Sequence, residues 1–145
     1  MATKPKSAEV SAAGYSGTPL VKKLGVKPGM KVAYLDAPEG FDATIGELPE
    51  GVAVARRLGG SKDVVIVFVT ARRDLERRLD ALRAAIAPDG MVWVAWPKKA
   101  SKVPTDVTED VVREVVLPTG LVDVKVCAID AVWSGLKVVI RKELR

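Results

Sequence analysis

The hydrophobic pattern of the chain changes period several times, and each period predicts an element. A continuous run of apolar residues spans Val64 to Val69, which is typical of a central parallel strand covered on both faces. After Thr70, a candidate N-cap, apolar residues recur at helical spacing until Pro88-Asp89-Gly90, which predicts the end of an amphipathic helix. The apolar positions of this helix are Leu75, Leu79, Leu82 and Ile86.

The rest of the chain alternates between strand-like and helix-like segments. Two β-rich runs, Val122 to Asp130 and Leu136 to Arg141, are joined by a connection with Trp133-Ser134-Gly135 and predict an antiparallel hairpin. A further helix begins near Asp106, with Val107, Val111 and Val115 on one side, and ends by Pro118 and Gly120. The other predicted strands are 31–36, 52–56 and 91–96. The other predicted helices are 20–24 and 41–48. For the first of these helices, Thr18 is the predicted N-cap and Pro19 occupies the first helical position.

This order of elements predicts the fold class. Strands that alternate with helices form mostly parallel sheets with right-handed crossovers, and the terminal hairpin adds an antiparallel part. We therefore predict a three-layer, Rossmann-like α/β fold with a mostly parallel sheet of about six strands. Its order resembles the core of class I methyltransferase folds. Residues 1–14 are small and polar and predict a flexible tail, so that 15–145 form a single domain.

Composition narrows the class of protein. The chain has 145 residues, of which 48% are hydrophobic and 28% are charged, as in one ordinary soluble domain. Its apolar runs are far shorter than the roughly 20 residues of a membrane helix, and the start near Lys4 and Lys6 lacks the apolar core of a signal peptide. The single cysteine, Cys127, cannot form an internal disulfide and is expected in the core. We expect a cytoplasmic protein with no membrane contact.

The sequence contains no histidine, which excludes Ser-His-Asp and Cys-His nucleophile pairs and zinc sites with imidazole ligands. The formal net charge of +5 favours anionic partners, although acidic residues are interleaved with basic ones. Arginines mark the outer face of the predicted helix after Thr70, but no aromatic residues alternate with them to stack on bases. A dedicated nucleic-acid-binding role is therefore not favoured.

The loop after the first predicted strand is where open α/β sheets bind a nucleotide cofactor. Its sequence, DAPEG at 36–40, offers Gly40 alone where a cofactor loop needs several glycines, and Pro38 has no N–H to donate. Arg56-Arg57 stands where an acidic residue would bind ribose hydroxyls, although arginine there suits a 2′-phosphate. We predict no cofactor, no metal site and no catalytic residue.

A second loop, after the strand 91–96, carries the basic residues of a candidate anion site. Lysines beside exposed N–H groups at a predicted helix start would bind an anion, whereas the simplest alternative is a solvated basic loop. A Schiff-base role for Lys98 or Lys99 would need a lowered pKa that a sequence does not reveal. The candidate ligand-binding residues of both loops are Asp36, Glu39, Gly40, Arg72, Lys98, Lys99, Ser101, Lys102, Thr105 and Asp106.

Several ordered motifs resemble DUF3052, a bacterial family of uncharacterised function. They are YSGTPL at 15–20, KKLG at 22–25, WPKK at 96–99, GLVD at 120–123, KVCAID at 125–130 and Trp133-Ser134. The resemblance runs from Tyr15 almost to the end of the chain and implies nothing about activity. The methyltransferase-like order is likewise only an analogy, because a fold does not establish a function.

Three hypotheses about function remain open. The first is a non-catalytic binding or regulatory domain that recognises an anionic small molecule or an acidic group of a protein partner at the strand ends. The second is a degenerate S-adenosylmethionine-dependent methyltransferase. The third is a protein-interaction module that uses its terminal hairpin as an edge, with a homodimer as one form.

Overall fold

Six strands form one mixed sheet in this computed structural model, which describes residues 18–145. The strand order is β2-β1-β3-β4-β6-β5; the first four strands are parallel, and β6 runs antiparallel to both β4 and β5. This confirms the predicted fold class, including the terminal hairpin. The strands are β1 Lys31–Leu35, β2 Ala53–Ala55, β3 Lys62–Phe68, β4 Ile86–Pro97, β5 Leu121–Ala128 and β6 Trp133–Ile140.

Helices cover both faces of the sheet. The helices are α1 Leu20–Lys23, α2 Phe41–Ile45, α3 Arg72–Ala85 and α4 Glu109–Val116. Apolar residues of α3 and α4 pack on one face, and those of α1 and α2 pack on the other. No helix in residues 18–145 is long and apolar enough to cross a membrane. The predicted tail 1–14 and the residues Tyr15 to Gly17 of the YSGTPL motif lie outside the described residues.

Strand β3 lies in the middle of the core, as its apolar run predicts. Val65 and Val67 face α3 and α4, whereas Val64 and Ile66 face α1 and α2, and all four are fully buried. Because both faces are covered, the strand needs no polar alternation. The buried layer on the α1 side is tied further by Trp93, whose indole N–H donates to a carbonyl at the end of α1.

The junction between α3 and β4 differs from the prediction. Helix α3 ends at Ala85 rather than at Pro88-Asp89-Gly90, and β4 begins at Ile86. Lys62 pairs with Ile86 whereas Val64 pairs with Met91, so residues 87–90 form a bulge. A Cβ on Gly90 would lie within 3.1 Å of three backbone oxygens, which explains why glycine stands there. Ile86 fits the helical spacing of α3, but it is buried as the first residue of β4.

Other boundaries also shift. Helix α2 ends at Ile45, three residues before its predicted end. Helix α1 has Pro19, rather than Thr18, as its N-cap residue. Helix α4 starts at Glu109, three residues after the predicted start, because the Thr108 hydroxyl accepts from the N–H of Val111 at 3.2 Å. The hairpin turn is 129–132, because Trp133-Ser134-Gly135 belongs to β6 and pairs with β4.

Candidate functional site

The carboxyl ends of β1, β3, β4 and β5 meet at one edge of the sheet. The chain leaves β1 for β2 on one side and then crosses to β3 on the other, so a topological switch point lies beyond the ends of β1 and β3. Open α/β sheets bind ligands in that crevice. The loops 36–40, 69–71 and 98–108 and the hairpin turn 129–132 therefore form the candidate site.

An ion pair spans the crevice at the switch point. Asp36 directly follows β1 with a left-handed φ of 57°, which aspartate tolerates better than most residues. Its carboxylate accepts from the guanidinium of Arg78 on α3 at 2.6 Å. Arg78 is the less exposed partner, with 30% of its side chain accessible against 60% for Asp36. The first cofactor-loop position is thus bound to the helix that follows β3.

The rest of the loop after β1 leads directly into α2. Glu39 is exposed and forms no ion pair with another described residue. Gly40 is the N-cap residue of α2 with φ 87°, a conformation that requires glycine in practice. The short loop therefore turns into a helix at the place where a cofactor loop would extend along its ligand.

Arg56, at the end of β2, also has a partner within the protein. One of its terminal nitrogens lies 3.0 and 2.8 Å from the two carboxylate oxygens of Asp42 on α2. The same guanidinium stands 5.1 Å from the ring centroid of Tyr34, at cation–π distance. Arg56, which stands where an acid would bind ribose hydroxyls, thus binds Asp42 of α2 and contacts the ring of the buried Tyr34.

Beneath this edge, four aromatic rings form a chain of edge-to-face contacts. Tyr34 contacts Phe41, Phe41 contacts Phe68, and Phe68 contacts Trp133, with centroid distances of 5.0, 5.0 and 5.1 Å. Trp133, the last ring of the series, is half-buried. The sequence could not order these rings, because they come from four separate elements.

Hydrogen bonds join the loop after β3 to the loop after β4. The Thr105 hydroxyl donates to the carbonyl oxygen of Thr70 at 2.6 Å. The Asp106 carboxylate accepts from the backbone N–H of Arg72 at 2.7 Å and so caps α3. The predicted cap, Thr70, makes no such bond, and the N-cap residue is Ala71. Asp106 was expected to start α4, but it stabilises the start of α3 instead.

Arg72 is bound to acidic side chains. Its guanidinium donates to Glu76 at 3.0 Å and to Glu114 of α4 at 2.8 Å. These hydrogen bonds, to Glu76 first and then to Glu114, raise the pKa of Arg72. The structure therefore brings the candidate residues Arg72, Thr105 and Asp106 together, in contacts that hold α3, α4 and the loop between β4 and α4.

The lysines after β4 divide into two kinds. Lys98 is half-buried, and its ammonium donates to the Asp130 carbonyl in the hairpin turn at 2.7 Å. The Ser101 hydroxyl donates to the Lys98 carbonyl at 2.7 Å and shapes the turn. Lys99 and Lys102 are exposed and form no ion pair with any residue of 18–145. These two ammonium groups are the cations that this loop presents to solvent.

The two halves of the predicted site are not connected by polar contacts. Within residues 18–145, no hydrogen bond or ion pair joins loop 36–40 to segment 98–102. Sequence reasoning missed Arg78 and Asp42, which bind the two residues at the ends of β1 and β2. Arg78 follows Leu75 by one helical turn, so it borders the apolar stripe of α3. This position beside the buried face of the helix was the one sequence feature that could have indicated that Arg78 points toward the sheet.

Comparison with known proteins identifies the fold. No protein-family model matches the sequence, and no curated protein matches it.

Solved structures of methyltransferases are similar to the chain. A SAM-dependent methyltransferase from Aquifex aeolicus has a TM-score of 0.61 at 16% identity, over 82% of this chain and 86% of that one. Aeropyrum pernix fibrillarin with natively bound S-adenosyl-L-methionine has a TM-score of 0.55 at 17% identity, over 83% and 72%. Magnesium protoporphyrin IX methyltransferase from Synechocystis with bound SAM has a TM-score of 0.53 at 12% identity, over 83% and 74%. The chain has the Rossmann-like fold of the SAM-dependent class I methyltransferases.

Proposed function

We propose that this chain is a degenerate methyltransferase fold that no longer transfers methyl groups and acts as a small binding or regulatory domain. The observation that carries the proposal is the ion pair between Arg78 and Asp36 across the crevice at the ends of β1 and β3. A ligand that entered this crevice would have to displace a charge-assisted hydrogen bond of 2.6 Å.

Three further features of the edge support the loss of the cofactor. Pro38 supplies no N–H in the loop after β1, and Gly40 already begins α2. Arg56, bound to Asp42, replaces the acid that would accept hydrogen bonds from ribose hydroxyls. Each departure removes a contact on which nucleoside recognition depends, and together they leave the fold without its cofactor chemistry.

The ligand that we propose is an anionic small molecule or an acidic group of a partner protein. Lys99 and Lys102 are exposed on a loop that is held at both ends, by Lys98 on the hairpin and by Thr105 and Asp106 on the start of α3. Two cations on an ordered loop attract an anion without prior folding of the loop. We also propose that the exposed edge of the hairpin could contact a partner protein or a second copy of this chain as part of the same binding role.

The experiment combines calorimetry and thermal shift. We expect no saturable heat on titration with S-adenosylmethionine or S-adenosylhomocysteine. We expect a phosphorylated metabolite from a panel to raise the melting temperature by several degrees, because ligand at about 100 times its Kd adds about 2.7 kcal/mol. The double variant Lys99→Gln/Lys102→Gln should lose that shift. If nothing in the panel shifts the wild type and the variant leaves partner binding intact, the binding role is wrong.

The second candidate function is a methyltransferase that still binds S-adenosylmethionine, and the similar structures with that ligand bound favour it. It predicts saturable binding that weakens in Gly40→Ala, where a Cβ would meet open space but φ is 87°. Gly29→Ala, at φ 78° far from this edge and also in open space, is the matched control. Saturable binding that only the Gly40 variant loses would overturn our proposal.

The finer family assignment belongs to this proposal as well. Membership of DUF3052 rests on the ordered motifs from YSGTPL to Trp133-Ser134, and the bacterial origin and cytoplasmic location rest on the sequence alone. Of these motifs, WPKK contributes Lys98 and Lys99 to the candidate site. Substitutions in WPKK therefore also test whether a motif shared with DUF3052 takes part in binding.

A further inference from the structure

A cavity of about 450 Å³ opens at the edge of the sheet opposite the candidate functional site. It lies between the end of α4 and the end of β6, where two short 3-10 turns, Leu117–Thr119 and Lys142–Leu144, contribute to its lining. Since β5 runs parallel to β4, its first residue, Leu121, belongs to the edge at which the parallel strands begin. The volume is within the range of small-molecule sites, which is about 300 to 1,000 Å³.

Arg83 on α3 is a half-buried arginine whose donors are unused. The other half-buried arginines in residues 18–145 all form ion pairs with carboxylates; they are Arg72, Arg78 and Arg113. The guanidinium of Arg83 forms no hydrogen bond or ion pair with any described residue, and its Nε is buried without an acceptor. Burying a charged donor without an acceptor costs stability. The protein thus holds a partly desolvated cation in place without compensating it.

Gly120 brings this guanidinium next to the cavity. Gly120 lines the cavity and ends the first 3-10 turn with φ 91°, a conformation that favours glycine. A Cβ on Gly120 would lie 3.3 Å from Nη2 and 3.5 Å from Nε of Arg83, and 2.7 Å from a methyl carbon of Leu144. Leu144 also lines the cavity and is 51% exposed. Exposed side chains change rotamer within nanoseconds, so Leu144 does not bar a ligand from Arg83.

The lining of the cavity combines a second cation with apolar atoms. The side chain of Arg141 lines it, and the backbone N–H of Arg141 donates to the Gly120 carbonyl at 2.9 Å. No carboxylate of residues 18–145 forms an ion pair with Arg141. Leu117 and Pro118 add apolar surface, whereas Glu143 adds a negative charge that opposes a multiply charged anion. This combination suits a singly charged ligand with an apolar body.

We propose that this cavity binds a small monocarboxylate, whose carboxylate accepts hydrogen bonds from Arg83 and whose apolar body packs on Leu117 and Pro118. The guanidinium donates in a planar fork that matches the two oxygens of a carboxylate. Such a ligand gives the buried Nε of Arg83 an acceptor, and Arg141 adds a second positive charge. This site shares no residue with the strand-end site of the proposed function, so either can fail without the other.

Titration of isotopically labelled protein with sodium hexanoate, followed by amide NMR shifts, tests the site. We expect saturable shifts of the Gly120, Arg141 and Leu144 amides, with a Kd of about 1 mM, as is typical of so small a ligand. Hexanamide has the same shape without the charge. It should bind about tenfold more weakly, because hydrogen bonds to charged groups are the stronger ones.

Variants of the same helix and cavity sharpen the test. Arg83→Gln should weaken hexanoate binding about tenfold, and Arg83→Lys, which keeps the charge but loses the fork, should weaken it less. Arg73→Gln is the matched control, because it removes the same charge from an exposed position of α3 and should leave the Kd unchanged. Glu143→Gln should tighten binding about twofold, because it removes a like charge from the lining. The amide spectrum of each variant verifies its fold.

The proposal is wrong if hexanoate shifts none of the three amides, or only those of Lys99 and Lys102; the second result would still support the proposed function. It is also wrong if Arg73→Gln weakens binding as much as Arg83→Gln does, since net charge alone would then be responsible. Equal binding of hexanamide would assign the affinity to the apolar lining. Tighter binding of inorganic phosphate or of polyglutamate at the same amides would identify a phosphate or an acidic protein segment as the ligand instead.

Discussion

The hydroxyl of Tyr34 is buried, and within the described residues it has no hydrogen-bond partner. An unpaired buried polar atom costs about 1 to 3 kcal/mol. The ring itself is well placed between Phe41 and the guanidinium of Arg56. At the scale of single residues, the polar atom of Tyr34 opposes the stability that its ring provides.

We therefore expect Tyr34→Phe to raise the free energy of unfolding by about 1 kcal/mol, because it removes the unpaired hydroxyl and keeps both ring contacts. Urea denaturation measures the change. Tyr34→Leu, which also loses the ring, should be less stable than the wild type. If Tyr34→Phe is instead less stable than the wild type, the hydroxyl has a hydrogen-bond partner in solution.

At the same scale, the sequence located candidate residues but not their partners. It put Asp36 at a strand end and Lys98 after a strand, and both are there. Their partners, Arg78 and the Asp130 carbonyl, lie 42 and 32 residues away along the chain. Such pairs depend on how α3 and the hairpin approach the edge, which no local pattern encodes.

At the scale of elements, the start of α3 depends on a residue from another loop. Asp106→Ala should lower the free energy of unfolding by about 1 kcal/mol, because the N–H of Arg72 loses its acceptor. Thermal or urea unfolding measures the loss. Asp106→Asn keeps an acceptor oxygen and should lose less, and Asp89→Ala, at an exposed position in the β4 bulge, should change little. Equal losses in all three variants would contradict a capping role for Asp106.

Strands were easier to predict than the boundaries between elements. The run from Val64 to Val69 is apolar at every position and favours a strand covered on both faces, as β3 is. Ile86 fits both the helical period of α3 and the ladder of β4, and only its pairing with Lys62 decides between them. Periodicity thus finds an element more reliably than it finds its end.

At the scale of the whole molecule, charge and pH act on stability through Lys137. Its lowered pKa means that the unfolded chain, with an ordinary value of 10.5, binds the proton more tightly than the native protein does. The resulting destabilisation is fully present at neutral pH, decreases as pH rises through the lowered pKa, and vanishes above 10.5. Tyr34 acts in the opposite sense, because burial raises its pKa. The unfolded chain therefore releases the phenolic proton first, and the stability of the native protein falls as pH rises above 10.0.

Lys137→Met keeps the length of the side chain and removes its charge. We expect the variant to melt at a higher temperature than the wild type at pH 7, with a difference that shrinks toward zero as pH approaches 10.5. Differential scanning calorimetry across this pH range measures it. Val139→Met, two residues along β6, changes no charge and controls for packing. A Lys137→Met difference that is independent of pH would assign the residue a packing role only.

The alternation of strand-like and helix-like hydrophobic patterns predicted the global architecture. Six strands, their mixed directions and both helix layers were predicted in this way. The row of aromatic rings could not be predicted, because Tyr34 and Trp133 come from distant parts of the sequence and join one series of contacts only in the folded sheet. Patterns that repeat locally reveal layers, whereas surfaces built from several elements require the topology.

The hydrogen bonds from Thr105 to Thr70 and from Asp106 to Arg72 have a thermodynamic consequence for recognition. Ordering a residue of free backbone costs about 1 to 2 kcal/mol, and a loop that folds only on contact with its ligand bears that cost in its affinity. The loop that carries Lys99 and Lys102 has already borne it during folding. We therefore expect the anion affinity that we propose for this loop to depend on charge and desolvation, and to respond to salt more strongly than to temperature.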